Sequence, residues 1–280
     1  MSFSMDDENI RFYDSFAHYY SIVYGCIDAT ATVRQWLQLL ESENIIPSLE
    51  DRCRSNLVLL DAGCGPGWFL PAWAQAGFKV VGIDSSPAML RLAANTWRRE
   101  IDAALPPLIL GNLCESDSIS SFHETIDVVV CHSNLPHLIH PDALPLFCGN
   151  ISGVLKPGGI LAFDHMFPAD DALDGDETHT LPFGGKLERV SRSNAAGRYC
   201  VQHWHGNRFS GKEFYWLHDS AELDSIFDRY GVRLYQRWEW NPNHSEQPFR
   251  PVTRTSERLI SLYQRRTYEY ETTSMDYLPP

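Results

Sequence analysis

Residues 56–84 constrain the fold of this chain more than any other stretch of its sequence. An apolar run over residues 57–60 ends at an acid, three glycines follow at alternating positions, an apolar-periodic segment stops at Gly77, and a second β-rich run ends at Asp84. This succession of strand, glycine loop, helix, strand and acid is the plan of a nucleotide-type cofactor site in an α/β sheet. One short stretch therefore predicts both a fold class and the position of a ligand.

The residue types in this stretch suit the chemistry of a cofactor site. Gly63, Gly65 and Gly67 have no Cβ, so backbone and ligand can approach closely. The first turn of the following helix has unpaired N–H groups, and the carboxylate of Asp84 can accept hydrogen bonds from both hydroxyls of a ribose. Two features depart from the dinucleotide fingerprint G-x-G-x-x-G, because Asp61 is an additional acid and the third glycine comes one residue early.

The run DAGCGPG, residues 61–67, resembles the D-x-G-x-G-x-G signature of class I S-adenosylmethionine-dependent methyltransferases that act on small molecules. The resemblance extends from about residue 12 to about residue 266. It implies an α/β fold with a Rossmann-like sheet, mostly parallel with the last strand antiparallel. It also implies an N-terminal helical lid and an antiparallel β insertion that caps the substrate side. S-adenosylmethionine is the implied cofactor, and a small-molecule methyl acceptor is the implied partner.

The resemblance also assigns cofactor-binding residues. The segment YDSFAHYY looks like a Y-D-x-x-A-x-x-Y pattern whose tyrosine hydroxyls lie near the methionyl end of the cofactor. Ser85 and Met89 match positions that border the adenine. Asn112 stands where the family usually has an aspartate for the adenine amine, and an amide oxygen can still accept that hydrogen bond. The predicted cofactor-binding residues are Tyr13, Tyr20, Asp61, Gly63, Cys64, Gly65, Gly67, Asp84, Ser85, Met89, Asn112, Leu113 and Cys131.

Two histidines are predicted to act in catalysis. Residues 126–131, IDVVVC, form the continuous β-branched run of a buried central strand, and the loop HSNLPHL follows it. In the family this loop lies under the transferred methyl group, and its sequence looks like the L-x-H-L loop of small-molecule enzymes. Methyl transfer from a sulfonium depends chiefly on alignment, but a base helps when the nucleophile carries a proton. His137 is the first hypothesis for this base and His132 the second, and either could instead orient the substrate.

Periodicity divides the chain into predicted parts. Antiparallel strands are expected within residues 185–218, where the apolar period changes to two. The acidic residues 167–181 predict a solvated loop, and residues 241–257 predict a mobile flap. Pro145 suggests that a regular helix begins only after it. The predicted divisions are a lid (1–55), a cofactor-binding core (56–166), an acidic loop and antiparallel cap (167–219), a C-terminal helix with the last two strands (220–267), and a tail (268–280).

The composition of the chain argues against some classes of binding partner. The 280 residues carry 23 Lys and Arg against 36 Asp and Glu, a net charge of −13. This charge argues against nucleic acid, and the absence of a long apolar run argues against a membrane. The polar, acidic N-terminus is unlike a targeting peptide. Seven scattered cysteines without a C-x-x-C pair predict reduced thiols, a cytoplasmic location and no metal site. We expect a monomer or a homodimer.

Two other hypotheses remain open from the sequence. One is an NAD(P)-dependent oxidoreductase, against which Asp61 and the glycine spacing count. The other is a protein that binds S-adenosylmethionine without transferring its methyl group. The sequence leaves the identity of the acceptor open, and it does not distinguish methylation at oxygen, nitrogen or carbon.

Overall fold

The computed structural model describes residues 5–46, 52–115, 119–133, 135–166, 174–194, 199–206, 209–244, 247–253, 256 and 258–267. The helices are α1 (Met5–Tyr24), α2 (Ala29–Ser42), α3 (Leu70–Gln75), α4 (Pro87–Glu100), α5 (Leu144–Val154) and α6 (Ser220–Arg229). The strands are β1 (Val58–Ala62), β2 (Lys79–Asp84), β3 (Leu108–Leu110), β4 (Ile126–Cys131), β5 (Leu155–Met166), β6 (Gly175–Thr180), β7 (Lys186–Ser193), β8 (Tyr199–Gly206), β9 (Phe209–Trp216), β10 (Val232–Trp240), β11 (Phe249–Pro251) and β12 (Arg258–Arg265).

The main sheet has eight strands in the order β11-β10-β12-β5-β4-β1-β2-β3. Strands β3, β2, β1, β4 and β5 run parallel to one another. Strand β12 is antiparallel to both β5 and β10. This arrangement confirms the predicted mostly parallel sheet with an antiparallel final strand. The strand order reverses direction between β1 and β4, and ligands of open α/β sheets bind at the carboxyl ends of the strands beside such a point.

Apolar layers cover both faces of this sheet, and the sequence of β4 shows why. Val129 and Cys131 pack into the cluster that contains α5 and α6, whereas Val128 and Val130 pack into the cluster that contains α2 and α3. Alternate side chains of a strand point to opposite faces. A strand covered on both faces therefore needs apolar residues at successive positions, which explains the uninterrupted run VVVC.

A second, antiparallel sheet in the order β6-β7-β8-β9 forms the cap. Its inner face packs against α1, where the rings of Phe16 and Trp204 lie 4.8 Å apart and those of Phe16 and Phe209 lie 5.4 Å apart. This contact confirms a helical N-terminal segment and a separate antiparallel insertion. The lid and the cap share one apolar cluster, so they pack as a single unit over the main sheet.

The structure corrects the prediction that residues 167–181 form a loop. Residues 167–173 lie outside the described residues, but β6 occupies most of the remainder and pairs with β7 along its length. Its acidic residues are exposed and two of them form ion pairs, Glu177 with Arg189 and Asp176 with Arg192. Charged residues are common on edge strands because they prevent further pairing. An acidic sequence was therefore interpreted as a loop although it forms an edge strand.

Two further predictions were wrong in detail. The predicted flap over residues 241–257 contains β11, a three-residue edge strand that pairs with β10. Helix α5 begins at Leu144 and includes Pro145 in its first turn. A proline is tolerated there because the first N–H groups of a helix have no intrahelical acceptor. The predicted domain divisions stay a prediction, and the tail over residues 268–280 lies outside the described residues.

Polar contacts hold α1 at both of its flanks. The buried side-chain amide of Asn9 donates to the carbonyl oxygens of Leu138 (3.0 Å) and Phe214 (2.9 Å), and its oxygen accepts the N–H of Phe214 (2.8 Å). On the other flank, Asp14 accepts hydrogen bonds from the N–H of Ala88 (2.8 Å) and the hydroxyl of Ser86 (3.1 Å). Helix α1 is thus fastened to the cap and to the start of α4. No helix in the described part of the chain is long and apolar enough to cross a membrane.

Replacing Asn9 by alanine should loosen this lid. The variant loses three hydrogen bonds and leaves a buried N–H and two carbonyl groups without their partner, so we expect a loss of about 2–4 kcal/mol in the free energy of unfolding. Urea denaturation measures the loss, and hydrogen exchange should localise it to α1 and β9. The exposed Asn95→Ala in α4 is the control. Equal stability of the two variants would contradict a fastening role for Asn9.

Candidate functional site

A cleft of about 900 Å³, part of it open to solvent, lies between α1 and the carboxyl ends of β1, β2 and β4. Most of the predicted site residues meet in its wall. These are Tyr13, Tyr20, Gly63, Gly65, Asp84, Ser85, Met89, Asn112, Leu113 and His132.

The glycine loop forms the floor of the cleft. Gly65 has a φ of +53°, and a Cβ added there would have no atom of the described residues within 4 Å. Gly67 has a φ of +70°, but its added Cβ would lie 2.7 Å from the Cβ of Ala93 in α4. Gly67 therefore permits close packing of the loop on α4. Gly65, by contrast, presents bare backbone to the space in which a ligand would lie.

Asp84 links the loop to the end of β2. Its Oδ2 accepts the N–H of Gly65 at 2.8 Å and its Oδ1 accepts the N–H of Ser86 at 2.8 Å. Burial raises the pKa of Asp84, and hydrogen bonds from backbone amides oppose this shift. Each carboxylate oxygen has a further lone pair. Asp84 can therefore hold the loop and still accept two hydroxyl groups of a ligand.

Asp61 lies beneath the cleft at the end of β1 and is fully buried. Neither carboxyl oxygen makes a hydrogen bond to any described residue. Burial raises the pKa of Asp61 to about 8, and the negative charge of Asp84 adds to the shift. A buried acid without a partner is unfavourable for folding. Such a group is typical of a functional site, where a local cost is retained for the sake of a ligand.

Asp61 should make stability depend on pH. Its pKa rises from 3.8 to about 8 on folding, so the folded state binds more protons than the unfolded state between these values. Stability is therefore greatest below pH 4 for this group and falls as the pH rises to 8, by roughly 5 kcal/mol for about four pKa units. In Asp61→Asn this part of the slope should vanish, whereas the exposed Asp102→Asn should retain it. Urea denaturation from pH 5 to pH 9 tests this, and an unchanged slope in Asp61→Asn would show that Asp61 is ionised when folded.

The far end of the cleft carries the residues predicted to contact an adenine. Met89 is buried in the first turn of α4, where Ser86 caps the helix by accepting the Met89 N–H at 3.1 Å. The side-chain oxygen of Asn112 accepts the N–H of Cys114 at 2.9 Å. That oxygen has a second lone pair. It therefore remains able to accept a hydrogen bond from an amine on a ligand.

His132 lies in the wall of the cleft, in an aromatic setting. Its ring stacks on Phe69 at a centroid distance of 3.9 Å, and its Nε2 accepts the indole N–H of Trp73 at 3.1 Å. Burial lowers the pKa of His132 to about 3, and the charge of Arg258 lowers it further. The ring is therefore neutral near pH 7, with its proton on Nδ1. To act as a base, His132 would have to release the Trp73 hydrogen bond.

The other histidine of this loop, His137, does not line the cleft. It belongs to the short 3₁₀ turn Leu135–Leu138, in which residues three apart share a face. Leu135 and Leu138 face the cleft, so His137 points toward the cap, where its Nδ1 lies 2.6 Å from the carbonyl oxygen of Trp216. Its role as a base stays a prediction. Asn134 of the same loop lies outside the described residues.

The remaining predicted residues are Asp61, Cys64, Gly67 and Cys131, which lie outside the wall of the cleft. The N–H of Cys64 donates to the carbonyl oxygen of Ile83 at 2.9 Å, and the N–H of Gly67 donates to the carbonyl oxygen of Cys64 at 2.9 Å. Cys131 is fully buried in the core. Cys64 and Gly67 thus hold the loop in its conformation from beneath the cleft. The spacing of residues in the sequence does not distinguish such residues from those that line the cleft.

Sequence reasoning missed a second cleft, of about 890 Å³, which shares His132 and Ser133 with the first. The carboxylate of Asp164, at the end of β5, accepts the N–H of Ser133 at 2.7 Å and a guanidinium N–H of Arg258 at 2.6 Å. The guanidinium carbon of Arg258 lies 4.3 Å from the ring centroid of Trp240. These polar and aromatic groups lie beside the same loop as His132, so the second cleft borders the first.

The chemistry of the first cleft fits S-adenosylmethionine. Asp84 can accept two ribose hydroxyls, the open face of Gly65 leaves room for the ligand backbone, and Asn112 can accept an amine. The buried acid Asp61 beneath the loop holds a proton near pH 7, and a cation bound above the loop would favour its ionisation. An acidic floor of this kind is less suited to a pyrophosphate.

Comparison with protein families agrees with this geometry. Residues 60–163 match the family described as methyltransferase domain. The matched segment includes the glycine loop, β2, α4 and β4, which together form most of the cleft. The part of the chain that forms most of the cleft is therefore similar to a methyltransferase domain.

Two curated proteins illustrate the similarity. The chain is 30% identical over 172 residues to malonyl-[acyl-carrier protein] O-methyltransferase of Pectobacterium atrosepticum. The aligned stretch covers 61% of this chain and 58% of that protein. It is also 31% identical over 168 residues to the putative methyltransferase YqeM of Bacillus subtilis. That alignment covers 56% of this chain and 62% of the other protein. The aligned stretches thus span less than two thirds of either relative.

Solved structures extend the similarity to nearly the whole chain. The CcbJ methyltransferase from Streptomyces caelestis superposes with a TM-score of 0.71 and 19% identity, covering 93% of this chain and 99% of that one. A S-adenosylmethionine-dependent methyltransferase from Clostridium acetobutylicum superposes with a TM-score of 0.70 and 15% identity, covering 91% and 99%. At these identities the similarity concerns the fold, including the lid and the cap.

Proposed function

We propose that this protein transfers a methyl group from S-adenosylmethionine to an oxygen or nitrogen atom of a small molecule. The observation that carries the proposal is the arrangement at the end of β2. There Asp84 holds the N–H of Gly65, whose open face turns toward the cleft. This arrangement combines a ribose acceptor with a bare backbone at the point where the strand order reverses.

The chain's own residues would bind and align the reactants. Asp84, Asn112 and Met89 hold the nucleoside end, and Tyr13 and Tyr20 lie on the lid side of the cleft. S-adenosylmethionine supplies a methyl group on a positively charged sulfur, which is already a good leaving group. The protein therefore needs mainly to place the nucleophile in line and to exclude water. Apolar side chains of the 3₁₀ turn line the cleft on the side of the cap and suit this second task.

The acceptor is proposed to be a small molecule because the lid and the cap cover the cleft. Arg258 and Trp240 in the second cleft offer a charged and a flat surface next to His132 and Ser133. Relatives of this chain include O-methyltransferases named for ubiquinone biosynthesis, and structural neighbours include an amino pentose methyltransferase, CalS10. Transfer to oxygen and transfer to nitrogen both remain within the proposal. A proton-accepting role for His137 or His132 stays a prediction.

Isothermal titration separates this proposal from its alternatives. We expect S-adenosylmethionine and S-adenosylhomocysteine to bind with micromolar or tighter affinity and NAD or NADP to bind at least tenfold more weakly. Binding of NAD or NADP without binding of S-adenosylmethionine would favour an oxidoreductase. Incubation with methyl-labelled S-adenosylmethionine and small-molecule extracts then tests transfer. Tight binding with no labelled product in varied extracts would favour a binding protein without methyltransferase activity.

A further inference from the structure

Tyr13 presents an unusual hydrogen-bonding state to the cleft. Its ring belongs to the wall of the cleft, and its hydroxyl donates a hydrogen bond to Oε1 of Glu213 on cap strand β9. A phenol has a single proton to donate. Since that proton is given to Glu213, the oxygen of Tyr13 can offer only lone pairs to a ligand. A ligand group that makes a hydrogen bond to the Tyr13 oxygen must therefore be the donor.

Glu213 is a buried carboxyl group beside the indole N–H of Trp204, which lowers its pKa. Its side chain is 1% exposed, and Oε2 makes no hydrogen bond of normal geometry to any described residue. A carboxylate in such surroundings is unfavourable unless a cation or further donors approach it. Tyr13 supplies one donor, so the pair lacks a positive charge.

The cation whose charge acts on Glu213, Arg189, already has another carboxylate partner. Arg189 of β7 forms an ion pair with Glu177 at 2.8 Å, and its guanidinium carbon lies 5.5 Å from the ring centroid of Trp204. Its charge lowers the pKa of Glu213 only in part, because burial raises that pKa to about 7. The other groups that act on Glu213 or respond to its charge are Tyr13, Tyr20 and Tyr24 of α1, and Cys200 and Trp204 of β8.

We propose that Tyr13 and Glu213 form a binding site for a protonated amine at the cap end of the cofactor cleft. The ammonium N–H groups donate to the oxygen of Tyr13, and the carboxylate of Glu213 balances the charge. The ring of Tyr20, whose centroid lies 6.2 Å from that of Tyr13, adds an aromatic face of the kind that attracts cations. This combination of an acceptor, a buried negative charge and aromatic rings suits an ammonium group.

The inference rests on the proposed function, which supplies two sources for such an amine. One is the amino group in the methionyl part of S-adenosylmethionine, and the other is an amino group on the methyl acceptor. Both place a protonated nitrogen near the lid. They differ in which molecule loses affinity when Glu213 is changed, and a binding experiment can tell them apart.

The test is isothermal titration of the wild type, Glu213→Gln and Glu188→Gln. The glutamine at position 213 keeps an oxygen that can accept the Tyr13 hydrogen bond but removes the charge. Glu188 is an exposed residue of β7 in the same cap, so its variant is the matched control. S-adenosylhomocysteine is compared with 5′-methylthioadenosine, which lacks the amino acid part. Benzylamine is compared with benzyl alcohol, each with and without S-adenosylhomocysteine. Thermal melting checks that the variants are folded.

We expect Glu213→Gln to weaken the binding of one amine, either S-adenosylhomocysteine or benzylamine, at least tenfold. The affinity for the matched compound without the amine, 5′-methylthioadenosine or benzyl alcohol, should change less than twofold. Loss of affinity for S-adenosylhomocysteine assigns the site to the cofactor, and loss of affinity for benzylamine assigns it to the acceptor. Binding of the cation should also release protons near pH 7, since burial raises the pKa of Glu213 to about 7 and a bound cation lowers it again. Titration in two buffers of different protonation enthalpy measures this release, which Glu213→Gln should abolish.

Equal affinities of Glu213→Gln and the wild type for all four compounds, with equal proton release, would overturn the amine site. Tyr13→Phe gives a second check, because it removes the accepting oxygen while leaving the Glu213 charge in place. Failure of the proposed function looks different, since the wild type would then bind neither S-adenosylhomocysteine nor 5′-methylthioadenosine. In that case the titrations with benzylamine and benzyl alcohol alone still decide whether the ammonium site exists.

Discussion

Asp84→Asn should weaken the binding of S-adenosylhomocysteine by at least about 100-fold. An asparagine amide group would place its N–H₂ against the N–H of Gly65 or of Ser86, which now lie 2.8 Å from the two carboxylate oxygens. One loop contact is lost, and one ribose hydroxyl loses a charged acceptor. Hydrogen bonds to charged groups contribute about 1.5–3 kcal/mol each. Two of them correspond to a factor of about 100 or more in affinity.

Isothermal titration measures this effect, with Asp102→Asn as the control. Asp102 is exposed beyond the end of α4, so its variant has the same change of charge without a role in the cleft. Asp84→Asn should remain folded, since the sheet around β2 keeps its backbone pairing. Binding within threefold of the wild type would show that Asp84 does not hold the ribose, and the proposed function would lose its main support.

Gly65→Ala should mainly weaken cofactor binding, whereas Gly67→Ala should mainly lower the stability of the fold. At Gly65 the new methyl group meets no atom of the described residues within 4 Å, so the fold should lose only about 1–2 kcal/mol for the left-handed φ. That methyl group enters the space proposed for the cofactor, so binding should fall at least tenfold. At Gly67 the new Cβ would lie 2.7 Å from the Cβ and 2.9 Å from the Cα of Ala93, so the loop or α4 must shift.

Overpacking costs about 1–3 kcal/mol in addition to the backbone strain. We therefore expect Gly67→Ala to lose about 2–5 kcal/mol of unfolding free energy. Urea denaturation and titration with S-adenosylhomocysteine, carried out on both variants, separate stability from binding. Unchanged binding by Gly65→Ala would place the cofactor elsewhere. Equal stabilities of the two variants would show that the loop does not pack on α4 as closely as the structure indicates.

Much of the fold could be predicted from local pattern. The strand over residues 126–131 was predicted with the bounds that the structure has, Ile126–Cys131, and the two strands predicted within residues 220–267 are Val232–Trp240 and Arg258–Arg265. Each is an apolar or alternating run bounded by turn residues, and such runs report directly which faces are buried. The edge strands β6 and β11 were missed because an edge strand buries little and tolerates charge and proline.

The candidate site was predictable to the extent that it is local. Asp84 and Gly65 are 19 positions apart and are joined by one strand–loop–helix–strand unit, so their meeting follows from the motif. The direction of His137 did not follow, because it depends on a 3₁₀ turn and on the carbonyl of Trp216, 79 positions away. The contacts of Asp164 with Arg258 and of Tyr13 with Glu213 join residues 94 and 200 positions apart.

The stretch over residues 56–84 thus determined by itself the class of sheet, the glycine loop at which the cofactor is proposed to bind, and the acid at the end of β2. These features are local, because glycine at positive φ and an acid after a strand are needed within one strand–loop–helix–strand unit. Only the tertiary structure decided what lies on the other side of the cofactor. The lid and the cap meet there through contacts such as that of Tyr13 with Glu213, and no sequence period reports which side chains two separate elements bring together.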